Sequence, residues 1–418
     1  MKKKIFAFLF IGISIITFAQ NAAEFQDRIR SLQKELPEFS VVILFSKPEN
    51  NDTRFRYRQE SNFYYFSGFN EPNAIVFIDK RQANLILKGR DPDDERINKI
   101  KNDTGFRAVR TYDNFLRMLP FFLRQIETVF TNSPRPRIDK PIPESLIFFK
   151  DLKDRFYDFK LKNVTELSAD LRVIHSEEEL KLMQNAIDIT DDVHLEMMKS
   201  VKPGMYEYQL EAILDYVSKN QGAMQLGFEA IIGTGKNALE PHYSANTDII
   251  EEGDLIVIDI GAEYKMYTAD ITRTIPASGK FTETQKKFYN ILLKSQLGAI
   301  EAVKPGADFM EPYNVSFRII QEELEKTGFI NKGDGRAVRR YMKHTISHFL
   351  GLDVHDVGNT REKLKPGMVI TIEPALYIPE HNFGIRIEDD VLVTETGFKV
   401  LSKAPKTIEE IERIMREK

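Results

Sequence analysis

The sequence predicts an α+β protein of two domains, the second built from two copies of a helix, helix, hairpin unit. Three observations carry this. A chain of 418 residues is too long for one ordinary core. Val201-Lys-Pro-Gly204 recurs as Val303-Lys-Pro-Gly306, each with an amphipathic helical pattern before it and another after it. Gly253-Asp-Leu-Ile-Val-Ile-Asp259 recurs in pattern as Gly367-Met-Val-Ile-Thr-Ile-Glu373, with a carboxylate six residues after each glycine. The offsets, 102 and 114 residues, are close, as an old duplication leaves them, and each half then brings carboxylates to a pseudo-twofold axis.

The first stretch, Met1 to Ala19, has the layout of a secretory signal: three lysines, an apolar run from Ile5 to about Phe18, and a small residue before Gln20. Its apolar part, broken by Gly12 and Ser14, falls short of the roughly 20 residues that span a bilayer. The expectation is an exported protein, periplasmic or secreted after cleavage near Ala19, with no stable membrane insertion. The absence of cysteine excludes disulfides and thiolate zinc sites, and a net charge of -4 with both signs interspersed offers no basic patch to nucleic acid.

Residues 20–172 form the first predicted domain. Strands are expected at Ser40 to Phe45, Ala74 to Phe77 and Ala83 to Leu87, among helical patterns, with an irregular proline-rich stretch from Thr131 to Pro143. Tyr57-Arg58-Gln59 and the aromatic run Phe63 to Phe69 could line a site, but read as a strand of alternating aromatics they belong to the core.

Residues 173–418 form the second domain. Ser176 followed by Glu179 is a capping box that opens a helix running to about Ser200, and a second helix covers about Glu207 to Asn220. Gly233-Thr-Gly235 is too short for a nucleotide-binding fingerprint and reads as a turn. His175, His194 and His381 read as surface or satisfied core positions.

The chemistry concentrates between His344 and Glu388. Three of the seven histidines, His344, His348 and His355, fall within twelve residues, and His242 lies in an earlier loop-like segment. Asp259, Asp270, Glu373 and Glu388 sit in or beside apolar β-branched runs, where a carboxylate is costly unless paired or bound to a metal. Any one of them could pair with a nearby Arg or Lys. Two aspartates, two glutamates and a histidine together suit two hard or borderline divalent ions such as Mn(II), Co(II) or Zn(II). His344 and His348, four apart, would share a face if helical, and Asp259/Asp270 and Glu373/Glu388 suit facing positions on hairpins.

The series Asp259-Ile-Gly-Ala-Glu, Asp270-Ile-Thr-Arg-Thr, Ser347-His348-Phe-Leu-Gly-Leu-Asp-Val-His355-Asp, Thr371-Ile-Glu373-Pro and Gly384-Ile-Arg-Ile-Glu388-Asp-Asp resembles the pita-bread metallopeptidases. Within them it is most similar to aminopeptidase P, the Xaa-Pro aminopeptidases. Tyr57 to Pro72 resembles that family's amino-terminal domain, although many relatives carry a tryptophan motif there and this chain has no tryptophan. The resemblance implies a creatinase-like α/β domain before a pita-bread catalytic domain. It implies Asp259, Asp270, His348, Glu373 and Glu388 as ligands of two divalent ions, manganese by family expectation, with Asp270 and Glu388 bridging. A water between the ions would be the nucleophile, Glu373 would shuttle its proton, and His242, His344 and His355 would stabilise the oxyanion. Arg386, two residues before Glu388, would face the same way and neutralise the carboxylates or meet substrate. Proline-containing peptides are the implied substrates and a homo-dimer or tetramer the implied assembly. Alternatives are a prolidase, limited to dipeptides by a basic group that holds the substrate carboxylate, creatinase-like chemistry without metals, and a non-catalytic binding module. The complete ligand set argues against the last two.

Overall fold

The computed structural model describes residues 22–49, 56–89, 91–133, 139, 141–155 and 158–417. The expected leader and the middle of the proline-rich stretch lie outside the described residues.

The first unit is one mixed sheet with helices on both faces. Its strands are β1 (Ser40–Phe45), β2 (Ala74–Ile78), β3 (Ala83–Leu87), β4 (Ala108–Thr111), β5 (Thr128–Thr131) and β6 (Lys160–Asn163), in the order β4-β3-β2-β1-β5-β6. The helices are α1 (Ala22–Glu35), α2 (Ser61–Ser67), α3 (Asp94–Thr104), α4 (Tyr112–Leu123), α5 (Glu144–Arg155) and α6 (Thr165–Arg172). Antiparallel pairs join β1 to β2 and β2 to β3, and the outer strands add in parallel through helical crossovers. Alternation along the strands divides the core. Val41, Ile43, Ile75 and Phe77 pack with Phe115 and Leu119 of α4 and Phe149 of α5, while Val42, Leu44, Val76 and Ile78 face the other way.

The aromatic run is helical, which corrects the strand expected there. Glu60 caps α2 by accepting from the Phe63 amide at 2.7 Å, and Gly68, at φ 64, closes it by donating to the Tyr64 carbonyl. Signals at both ends outweigh the β preference of the rings. Phe63, Tyr65, Phe66 and Phe69 are buried, as the core reading requires.

The second unit repeats itself as the sequence pattern implies. Helices α7 (Glu177–Ser200) and α8 (Glu207–Asn220) lead to strands β7 (Gln225–Leu226), β8 (Ile231–Thr234), β9 (Leu255–Ile260), β10 (Ala262–Tyr264), β11 (Tyr267–Thr268) and β12 (Ile271–Pro276). Then α9 (Glu283–Glu301), α10 (Glu311–Lys326) and α11 (Gly335–Tyr341) lead to β13 (Val369–Ile372), β14 (Ala375–Ile378), β15 (Phe383–Arg386), β16 (Asp389–Val393) and β17 (Phe398–Val400), and α12 (Ile408–Arg416) closes the chain. The two hairpins are β9/β12 and β13/β16, with β10/β11 and β14/β15 inserted at their tips. Ser176 and Glu179 form the expected capping box on α7. Gly233 and Thr234 belong to β8 and a 3-10 helix, Gly235–Leu239, follows at once, so the turn read there is replaced by a strand end.

The two units share a core. The second face of the amino-terminal sheet packs with Leu182, Met183, Ala186 and Ile187 of α7 and with Tyr264, Met266 and Tyr267 of the β10/β11 hairpin. Lys265 and Met266 at its tip have φ of 49° and 78°, the left-handed region that side chains disfavour, and Met266 is 3% exposed. Burial of its side chain between the units offsets that backbone cost. Among the described residues no helix is long and apolar enough to cross a membrane.

Candidate metal centre and active site

Backbone pairing brings the carboxylates together. Asp259 of β9 lies opposite Thr272 of β12, and Asp270 immediately precedes β12. In that hairpin the two aspartates are diagonal, which corrects the facing arrangement expected. Ile372 pairs with Asp389, so Glu373 and Glu388 stand at the adjoining position where β13 ends and β16 begins. The Glu388 amide donates to the Thr272 carbonyl at 3.1 Å and ties one hairpin to the other.

The histidines arrive without a helix, a second correction. Helix α11 ends at Tyr341, and the following segment lies along β13: Glu373 N donates to Ile346 O, Thr371 N to His348 O and Leu350 N to Val369 O, at 2.9 to 3.1 Å. Those partners compete with any helical bonding over residues 344–350. His348 and His344 still turn into one cavity of about 630 Å³, whose wall also includes His242, His355, Asp259, Asp270, Glu373, Arg386 and Glu388. Every residue singled out from the sequence for the site therefore lines the same space.

His348 Nε2 is 3.3 Å from Asp270 Oδ2 and 3.4 Å from Glu373 Oε1. Asp270, His348 and Glu388 can each offer a ligand atom with all of these within 4.8 Å of one another. Asp259 Oδ1 is buried without a partner, while its Oδ2 accepts from Arg386 Nη2 at 2.5 Å. Burial, then the negative charge of Asp259, Glu373 and Asp390, pushes the Asp270 carboxyl well above the ordinary range. Burial followed by Asp270, Glu373 and Asp259 does the same to Glu388, and burial raises Glu373 against the opposing pull of His348. So many carboxylates with one buried guanidinium among them call for further positive charge, and their donor set, oxygen-rich with one imidazole, fits divalent cations.

Arg386 is held on all sides. Besides Asp259 it donates to Tyr377 Oη and Pro241 O, each at 3.2 Å, and to Thr272 Oγ1 at 3.1 Å. Thr272 in turn donates to Glu388 Oε2 at 2.6 Å. His344 Nε2 is 2.9 Å from the Tyr377 hydroxyl and its Nδ1 is 3.8 Å from Glu373 Oε2. Burial, followed by Arg386, lowers His344 to about 4, so it is neutral near pH 7, and burial also lowers His355, whose ring packs edge-on against His348 at 4.4 Å.

Sequence reasoning missed Tyr377 and Thr272. Thr272 lies two residues after Asp270 and shares its strand face, a signal that was available. Tyr377 reaches the site only through the β14/β15 pairing, for which no local pattern speaks. Arg58, read as core, crosses between the units to pair with Glu263 and lies 3.6 Å from Asp353. Arg172, buried at the end of α6, pairs with Asp353 at 3.0 Å and with Asp356, beside His355. His175 and His194 are buried and joined through Nε2 to the Leu350 and Ile271 carbonyls, with Nδ1 of each left without a hydrogen-bond partner among the described residues, and His381 stacks against Phe383.

Residues 181–395 match the profile of metallopeptidase family M24, and residues 25–128 that of the aminopeptidase P amino-terminal domain. An Xaa-Pro aminopeptidase of Haemophilus influenzae is 33% identical over 94% of this chain and 97% of its own. Among solved structures, a putative aminopeptidase P from Bacillus anthracis superposes with a TM-score of 0.88 at 34% identity, over 95% of this chain and 99% of its own. Escherichia coli aminopeptidase P with the inhibitor Pro-Leu gives a TM-score of 0.84 at 31% identity, over 96% of this chain and 99% of its own. The E. coli protein has also been solved zinc-substituted with product.

Proposed function

The chain belongs to the aminopeptidase P family of M24 metallopeptidases, and on that premise we propose that it hydrolyses the bond between the first residue of a peptide and a proline in second place. The observation that carries this reading is the convergence of Asp259, Asp270, His348, Glu373 and Glu388 on one cavity. These five residues would hold two divalent ions. When bound, such a pair supplies positive charge that offsets the carboxylates, polarises the scissile carbonyl and makes a coordinated water acidic near neutral pH.

The side chains do the rest. Glu373 has one oxygen toward His348 and the other toward His344, a position from which it takes the proton of the attacking water and gives it to the leaving proline nitrogen. His242 and His355 line the cavity with no hydrogen-bond partner among the described residues, and donate to the carbonyl oxygen as charge grows on it. His344, oriented by Tyr377, serves the same charge from the Glu373 side. A bond to proline is a tertiary amide with no N–H, so attack must proceed without a grip on that group. Phe228, Ile231 and Val354 give the cavity an apolar wall for the ring.

One observation favours this reading over a prolidase. Arg386 is the single Lys or Arg among the described residues of the cavity wall, and Asp259, Tyr377, Thr272 and Pro241 occupy its guanidinium. Among the described residues of the wall no Lys or Arg is left free for the carboxylate of a dipeptide.

Three finer points belong to the same reading. Manganese suits the oxygen-rich donors, Met1 to Ala19 suit an export leader, and a dimer or tetramer follows the family resemblance. The test is cleavage of Xaa-Pro-Yyy tripeptides and Xaa-Pro dipeptides by protein stripped of metal and then given Mn(II), Co(II) or Zn(II). Metal-dependent tripeptide cleavage is expected. Cleavage of dipeptides alone would make the protein a prolidase, and cleavage of neither would overturn the reading.

A further inference from the structure

Strand β12 meets Arg386 through two threonines. Thr274 Oγ1 takes the Arg386 amide at 3.0 Å and donates to the Arg386 carbonyl at 2.9 Å, which pins the backbone of β15. Thr272 takes the side chain, accepting from Arg386 Nε at 3.1 Å. Arg273, between them, points the other way, to the Ala404 carbonyl and the Asp389 carboxylate, each at 2.7 Å, as alternation along a strand requires.

Proton counting gives the Thr272 contact a direction. A guanidinium only donates, so the Thr272 oxygen accepts from Arg386 and its one proton is left for another acceptor. That acceptor is Glu388 Oε2 at 2.6 Å, the short distance of a hydroxyl on a carboxylate. Thr272 is fully buried, where bulk water does not compete for either bond. The Glu388 amide donates to the Thr272 carbonyl at 3.1 Å, so main chain and carboxylate of Glu388 both lean on one residue of the opposite hairpin. Turning that carboxylate would strand the buried hydroxyl, in the cluster where Asp270, His348 and Glu388 offer ligand atoms within 4.8 Å of one another. We propose that Thr272 is a positioning residue for metal binding, its hydroxyl holding the Glu388 carboxylate in the orientation that receives an ion. This rests on the reading of Glu388 as a metal ligand and deepens it.

The experiment titrates metal-stripped protein with Mn(II) by calorimetry, in wild type, Thr272→Val and Thr272→Ser, beside melts of the metal-free proteins. Valine keeps the shape of threonine and removes the hydroxyl, whereas serine keeps the hydroxyl. Thr272→Val is expected to weaken Mn(II) binding by about tenfold to a hundredfold, the scale on which partners of metal ligands act, and Thr272→Ser to return toward wild type. Thr272→Ala makes the same deletion with a smaller side chain and is read in the same way should the valine protein not fold. An unchanged Kd in folded Thr272→Val or Thr272→Ala, whatever the melt does, would show that the hydroxyl serves packing alone and overturn the proposal. Equal weakening in Thr272→Ser and Thr272→Val would overturn it too. Absence of Mn(II) binding by wild type would instead sink the metal-site reading, and this one with it.

Discussion

Arg386 Nη2 lies 2.5 Å from Asp259 Oδ2, joining β15 of the second hairpin to β9 of the first through an ion pair whose members are 4% and 11% exposed. The guanidinium is the fixed positive charge inside a cluster of four carboxylates. Its packing depends on Gly384, where a Cβ would come within 1.9 Å of the Ala238 carbonyl, so the strand that carries Arg386 can approach the 3-10 helix only without a side chain there.

Removing that charge leaves Asp259 buried and unpaired. Arg386→Ala is expected to destabilise the metal-free protein by about 3–5 kcal/mol, the usual cost of breaking a buried pair from one side. Thermal melts with and without added Mn(II) check this. Part of the loss should return on metal addition, and an unchanged melt would show that Asp259 does not depend on the guanidinium.

Asp270→Ala should abolish metal binding while the fold survives. Repulsion within the cluster falls when one carboxylate goes, so the metal-free variant should melt no lower than metal-free wild type. Elemental analysis together with the melt tests both halves. Wild-type metal content in the variant would remove Asp270 from the ligand set.

Metal-free stability should fall as pH rises. Asp270, Glu373 and Glu388 have folded-state pKa values above their ordinary range, so between those values the native state holds more protons than the unfolded one. The penalty is absent below the ordinary carboxylate range, grows as pH climbs through the interval, and is complete above the raised values. Metal binding must displace those protons, so affinity should increase with pH and binding should release protons in buffers of different ionisation enthalpy. A metal-free melt that is flat across this interval would contradict the assignment.

His355→Ala should cut kcat by about a hundredfold, the scale of one lost oxyanion donor, with metal content retained. His348→Ala should lose metal as well. Elemental analysis separates the two, and a metal-free His355→Ala protein would mean that their roles have been exchanged.

Arg172→Met should lower kcat more than it raises KM. The guanidinium holds Asp353 and Asp356, on either side of His355, from the far end of α6. Its loss frees the segment that aims the imidazole while leaving the metal ligands in place. Wild-type kinetics in a folded Arg172→Met protein would show that His355 is positioned locally.

Much of the fold is legible in the amino-acid sequence. The capping box at Ser176, the limits of α7 and α8 and three of the six strands of the first sheet, β1, β2 and β3, follow from periodicity and end signals, which act over a few residues and are written where they act. Where end signals and side-chain preference disagree, as in α2, the caps at Glu60 and Gly68 win. The candidate site is legible residue by residue because carboxylates in apolar strands are costly enough to demand an explanation, and the duplicated spacing supplies one.

The sequence alone therefore carries the inventory: the helix, helix, hairpin repeat, the four carboxylates and the histidines that belong with them. How they meet is a matter of tertiary structure. The His344–His348 segment gives up helix for β13, Tyr377 joins His344 to Arg386, Arg172 holds the His355 segment from the other unit, and Ile231 comes to stand opposite Asp259. These relations depend on hydrogen bonds and ion pairs between residues distant in the chain, and no local propensity records a partner that folding has yet to deliver.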